Sequence, residues 1–282
     1  FLSSTETAMK RILSLSIFLC QILFLNAQNA WYVSPSGNDA NPGTLSQPWL
    51  TVSFASSQVS AGDSILLRQG IYTGDITIAT NTITVMSFPG EWATIRSSTT
   101  NSSDQQALWF NASGGVVRNL ELEGGYYYAL KFEQGNAFVS GCKIHGSGRD
   151  CIKIVPNADN ITIEDCEIYD SGQRDNSNAE GVDNVNADSM VIRRCFIHDI
   201  ATNGAYAKGG AIGCLFEQNL IMNCGGGIQL RFFTDLQFFD PQQNPNYHGN
   251  IDGIVRNNYI IGTDGPGIGM FAAYRPQVLH NT

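Results

Sequence analysis

The feature that most restricts what this chain can fold into is a six-residue phrase that keeps returning with its apolar positions in fixed places. Its copies occupy residues 117–122, 139–144, 163–168, 192–197, 216–221 and 255–260, and a seventh begins at Val278. Each reads apolar, two polar, a ladder residue, a variable residue, aliphatic, with Gly141 the one small exception. The ladder residues are Leu120, Cys142, Cys166, Cys195, Asn219, Asn258 and Asn281, at successive spacings of 22, 24, 29, 24, 39 and 23. A basal period of 22–24 residues suits one coil of three short strands, each rising about 3.3 Å per residue.

Period-two alternation turns the first and last positions of the phrase inward. Val117, Val139, Ile163, Ile192, Phe216 and Val255 then stack as one column, and Leu122, Ile144, Ile168, Ile197, Ile221 and Ile260 as another. The fold predicted is all-β, a single-stranded right-handed parallel β-helix. Leucine-rich and helical solenoids lack this rhythm, and no run of 3.6 period follows residue 30. The stacked cysteines are expected to act as small buried hydrophobes. Adjacent rungs also lie close enough for a disulfide, so that alternative stays open; zinc is disfavoured because no CxxC spacing occurs. The asparagines can satisfy their amides with one another and with backbone. The two long intervals hold irregular inserts, 173–178 and 232–247, and solenoid inserts emerge as loops on one face, often the binding face.

Met9, Lys10 and Arg11, followed by an apolar run over 12–25, read as a start and an export signal cleaved after Ala27. The run falls short of the roughly 20 residues a membrane span needs. The expected organisation is 1–27 upstream residues and signal peptide, 28–95 N-terminal cap and first rungs, and 96–282 repeats that stop in mid-rung. A secreted, periplasmic or cell-surface monomer is expected, with no membrane span after cleavage. A net charge of −9 argues against general attraction to nucleic acid or anionic membrane. An acidic polymer could still bind if a cation or a local basic stripe intervened.

The strand that opens each coil after the ladder turn borders a long groove, the natural place for an extended polymer. There one outward column is expected to hold Lys131, Lys153 and Asp183, with Lys208 and Arg231 beside it and Asp150 and Glu180 flanking. An alternating charge ladder on a solvated face would explain this at little energetic gain. The functional reading is β-elimination on a uronic-acid polymer. The C5 proton of a uronate is weakly acidic, so the adjacent carboxylate must be neutralised and a base must be in reach. Asp183, Glu180 and Asp150 are candidate ligands for Ca²⁺, a hard cation that prefers oxygen. Lys208 is the preferred base, with Arg231 as a second catalytic candidate that could grip a substrate carboxylate. Lys153, Lys131 and Tyr206 are candidate substrate contacts. Residues 184–188 start like an EF-hand but lack its glycine and distal glutamate, which makes them a turn.

Two resemblances add to this. Residues 31–39, 42–44 and 47–49, with 61–67, 70–72 and 83–90, resemble the opening of secreted β-helix proteins of the pectin-lyase-like superfamily. That likeness implies an N-terminal cap with a short helix near Val52 to Val59. Residues 180–183 and 204–210, with Lys208 before Gly209 and Gly210, resemble family-nine pectate lyases. This implies Asp183 as a calcium ligand and Lys208 as the base. The family clusters several aspartates on its calcium rungs, whereas here Asp183 stands with Glu180. Two other readings remain, a non-catalytic carbohydrate-binding or adhesive β-helix and a β-helix glycoside hydrolase. The hydrolase signatures of polygalacturonase-like enzymes do not occur.

Overall fold

The third position of the repeat phrase governs how each coil turns. In the computed structural model its backbone is left-handed in every copy: φ is 50° at Asn119, 63° at Gly141, 54° at Asp165, 53° at Arg194, 56° at Gln218, 55° at Asn257 and 53° at His280. Only glycine, and to a lesser degree Asn and Asp, adopts this region at low cost. The polar third position is therefore a turn requirement, and Gly141, the exception in the sequence pattern, meets it best. The structure describes residues 28–230 and 234–282, so the export signal expected over 1–27 lies outside the described residues.

Around these turns the strands stack in parallel, as expected. One sheet has ten strands, from Ala30–Val33 through Thr162–Glu164 to Gln277–Leu279, and every pairing in it is parallel. Within it Val117, Val139, Ile163, Ile192, Phe216 and Val255 are directly opposed from rung to rung and fully buried. A fourteen-stranded sheet carries the second column, Leu122 to Ile260, in equal register. These two columns form the core that runs the length of the solenoid.

Among the described residues a single α-helix, Val52–Gln58, sits at the expected place near the N-terminal end. The Thr51 hydroxyl accepts from the Phe54 N–H at 3.1 Å to cap it, while Val52 and Ala55 face the core. Trp31 stacks on Trp49 at 5.0 Å beside it. Together they cover the first rungs, whose edges would otherwise be open.

The ladder splits chemically at Cys195. Asn219 Oδ1 accepts from the Cys195 N–H at 3.0 Å, and Asn258 Oδ1 accepts from both the Asn219 N–H and its side-chain amide, at 3.0 and 2.9 Å. Asn281 repeats this pair toward Asn258 at 3.0 and 2.9 Å. The amide nitrogens of Asn219, Asn258 and Asn281 donate onward to the carbonyls of Ile192, Phe216 and Val255. Cys142, Cys166, Cys195 and the other three described cysteines are free and buried, with no disulfide among the described residues. The expected behaviour of the thiols as packing groups is what is observed.

Two outcomes follow. Asn258→Ala strips the acceptor from two buried donors of Asn219, so urea denaturation should show a loss on the order of 2–3 kcal/mol, and more than Cys166→Ala shows. In native protein the six described cysteines should not react with a thiol reagent until it unfolds, because their thiols are buried.

Candidate active site

The strands Tyr128–Phe132, Ile152–Ile154 and Val182–Val185 lie side by side, with Phe196–Lys208 next to them. Their register places Lys131 opposite Lys153 and Lys153 opposite Asp183, the column expected from the repeat. The next partner of Asp183 is Tyr206, and Lys208 falls two residues further along, opposite Val185. Two residues in a strand return to the same face, so Lys208 still stands over the groove beside Asp183.

Asp150 and Glu180 enter from the segments that lead into these strands, and the structure brings both to Asp183. One carboxylate oxygen of each lies within 4.8 Å of the others. All three residues are buried, at 1%, 3% and 1% exposure. Asp150 Oδ1 accepts from the Glu180 N–H at 3.1 Å. Asp183 Oδ2 takes the Lys153 ammonium, which also lies 4.0 Å from Asp150. That leaves Asp150 Oδ2, Glu180 Oε2 and Asp183 Oδ1 buried with no hydrogen-bond partner.

Three carboxylates in one dry site cannot all stay ionised at ordinary cost. Burial, and then the Asp183 carboxylate, push the Asp150 carboxyl well above the usual range. Burial and then Asp183 raise Glu180 as well. Burial opposes the charge on Lys153, but Asp183 and Asp150 outweigh it and the ammonium is held more firmly. Tyr206 is forced far up by burial and then by the charges of Asp183, Glu180 and Asp150, so its phenol keeps its proton. Burial pushes Tyr128, whose ring lies 6.0 Å from the Lys153 ammonium, up to about 12.

A buried cluster of unpartnered carboxylate oxygens fits a hard divalent cation, which takes about six to eight oxygens and leaves room for water and substrate. Lys153 bonds Asp183 Oδ2 and lies 4.0 Å from Asp150 Oδ2, while Asp183 Oδ1 and Glu180 Oε2 stay without a hydrogen-bond partner. The second group of acids and histidine, Glu121, Glu123 and His145, is already engaged: His145 and Thr94 bond Glu121, and Arg96 pairs with Glu123.

The remaining predicted residues divide. Lys208 donates to the Tyr206 hydroxyl at 2.6 Å and lines a 260 Å³ cavity with Lys153 and Asp183. Lys131 pairs with Glu133 at 2.7 Å and lies 4.9 Å above the Trp109 ring. Tyr206, expected as a substrate contact, is fully buried, because it lies beneath Lys208 between neighbouring rungs. It supports the charge of the site and does not touch a sugar from there. Arg231 lies outside the described residues. Of the other cavity walls, Asn178, Thr234, Asp235 and Phe238 lie in the two inserts marked by the repeat, while Val155 and Pro156 were not singled out in the sequence. The signal was the two long repeat intervals, whose inserts both reach this cavity.

Residues 31–204 match the family described as "Pel9A-like, right handed beta helix region". The chain belongs to the Pel9A-like right-handed β-helix family. Among solved structures it resembles an alginate lyase from Paenibacillus sp. str. FPU-7, with TM-score 0.57 at 12% identity over 90% of this chain and 98% of that one. It also resembles XylC in complex with xylose (TM-score 0.60, 10% identity, 90% and 70% covered) and pectate lyase Pel9A (0.55, 12%, 89% and 79%). At such identities the likeness is one of fold, the fold of polysaccharide-active β-helix proteins. The Bacillus subtilis (strain 168) protein YwoF is 44% identical over 41 residues, which span 14% of this chain and only 9% of that protein. Among the described residues of this Pel9A-like chain no helix is long and apolar enough to cross a membrane.

The acid cluster gives an asymmetric expectation without metal. Asp183→Asn leaves the Lys153 ammonium without its main partner inside the acid cluster and should cost about 3 kcal/mol or more in denaturant titrations with a chelator. Asp150→Asn, which replaces a carboxyl already raised toward its neutral form, should be near neutral or stabilising at pH 7. The folded state holds the Asp150 proton more tightly than the unfolded chain does. Stability of the metal-free protein should therefore fall as pH climbs from the ordinary value of 3.8 through the raised one. Equal losses for the two variants would contradict this arrangement.

Proposed function

We propose that this protein is an exported Ca²⁺-dependent lyase that cleaves a uronic-acid-containing, pectate-like polysaccharide by β-elimination. The observation that carries the reading is the set of three buried carboxylates, each with an unpartnered oxygen, facing one another beside Lys208. Asp150, Glu180 and Asp183 would hold the cation. Bound there, Ca²⁺ supplies positive charge that neutralises the uronate carboxylate and acidifies C5–H.

The protein's own groups do the rest. The C5 proton passes to the neutral amine of Lys208 at Nζ. As the C5–H bond breaks, C4=C5 forms, the C4–O bond breaks, and the departing oxygen takes a proton from solvent water. Tyr206 remains a neutral phenol under Lys208 and, being buried, keeps water from that side. Lys153 stays charged beside Asp183, so the site's net negative charge is reduced before an anionic substrate arrives. That same ammonium favours a second reading, a carbohydrate-binding β-helix in which Lys153 is the resident cation and Lys208 is dispensable.

Folded protein with Ca²⁺ should release unsaturated, ultraviolet-absorbing product from polygalacturonate, alginate or a glycosaminoglycan. Lys208→Ala should lower kcat by about 10²–10⁴ while leaving Ca²⁺ affinity unchanged. No absorbing product from any of the three polymers would eliminate the lyase reading.

A further inference from the structure

The outward column of the groove changes character along the solenoid axis. Thr77, Trp109, Lys131, Lys153, Asp183, Tyr206 and Gln229 follow one another in register, one per rung. On the N-terminal side it is open: Thr77 and Trp109 are half-buried, and the side chains of Lys131 and Lys153 keep 21% and 18% exposure. From Asp183 onward it closes, with Asp183 at 1%, Tyr206 at 0% and Gln229 at 2%. Outward positions on an unobstructed groove floor would not fall to zero.

The second insert supplies a wall at this step. Thr234, Asp235 and Phe238 fold back to share the cavity with Lys153 and Pro156, while Asn178 reaches it from the first insert. The returning segment is braced. Asn244 Nδ2 donates to the His248 carbonyl at 2.6 Å and its Oδ1 accepts from the His248 N–H at 2.9 Å. Gly210 N–H donates to the Gly249 carbonyl at 3.0 Å, and Phe239 is buried against Tyr247 with ring centroids 5.6 Å apart. Gly210, at φ +94°, lets Asn244 approach to 2.8 Å of where a Cβ would sit. The cavity they leave, 260 Å³, is smaller than the roughly 300–1,000 Å³ of common ligand sites.

We propose that the site is one-sided and acts at chain ends. The body of an acidic polysaccharide lies over Trp109 and Lys131, its terminal unit enters the cavity at Lys153 and Asp183, and short products leave. Rungs about 4.8 Å apart let successive sugars meet successive open positions. This rests on the lyase reading and deepens it.

The test is to follow viscosity, absorbance and product size together while wild-type protein with Ca²⁺ acts on polygalacturonate and alginate. Absorbing product should accumulate with little loss of viscosity, and one or two short products should dominate from the first time point. Trp109→Ala should raise KM several-fold for the polymer and leave KM for a dimer, which ends at Lys131, unchanged. An early collapse of viscosity with a broad ladder of oligomers would overturn end-directed action and leave the lyase reading intact. An unchanged polymer KM in Trp109→Ala would overturn the placement of the chain body. Absence of product from every polymer would remove the lyase reading and this inference with it.

Discussion

Everything in this molecule depends on a turn whose backbone must be left-handed once per coil. The third residue of each repeat phrase accepts that conformation, and the fourth then points inward and stacks on its counterpart in the next rung. Because side chains alternate with a period of two, a slip of one residue at this turn would exchange core and solvent faces for the whole strand. The asparagines at 219, 258 and 281 fix the register by hydrogen bonding from rung to rung, and the cysteines at 142, 166 and 195 fix it by close packing. Arg194 and Gln218 take the same φ without the advantages of Gly or Asn, so the turn is imposed there by its neighbours.

Rigid register is what makes the acid cluster possible. Asp183 is held opposite Lys153 by the strand pairing, and Asp150 is tied to the Glu180 backbone across 30 residues of sequence. The fold thus holds the three carboxylates where burial, and then the charge of Asp183, raise Asp150 and Glu180, a cost that the proposed cation would relieve. Lys153 tempers the cluster by bonding Asp183 Oδ2 and lying 4.0 Å from Asp150 Oδ2.

The architecture was legible in the sequence because solenoid order is local: each phrase announces its own rung. The two inward columns, the cysteine-to-asparagine ladder and the column Lys131–Lys153–Asp183 could all be read by alignment of repeats, whereas the N-terminal helix was implied only by the resemblance of the opening residues to secreted β-helix proteins. Lys208 could be placed only loosely, since the strand that carries it, Phe196–Lys208, passes through an irregularity between Ile200 and Asn203 that upsets counting. Tyr206 looked like a surface aromatic for the same reason, and burial beneath Lys208 depends on side chains from other rungs. The walls at Asn178, Asp235 and Phe238 sit in inserts with no period, where sequence shows that a loop exists but not where it returns.

In the proposed function Asp150, Glu180 and Asp183 hold the cation, and burial with the charge of Asp183 raises Asp150 and Glu180 before it binds. Calorimetric titration of metal-free protein with Ca²⁺ near neutral pH, in two buffers of different ionisation enthalpy, tests it most directly. The account predicts saturable one-site binding with net proton release, lost in Asp183→Asn. Absence of binding, or binding that releases no proton and survives that substitution, would contradict it.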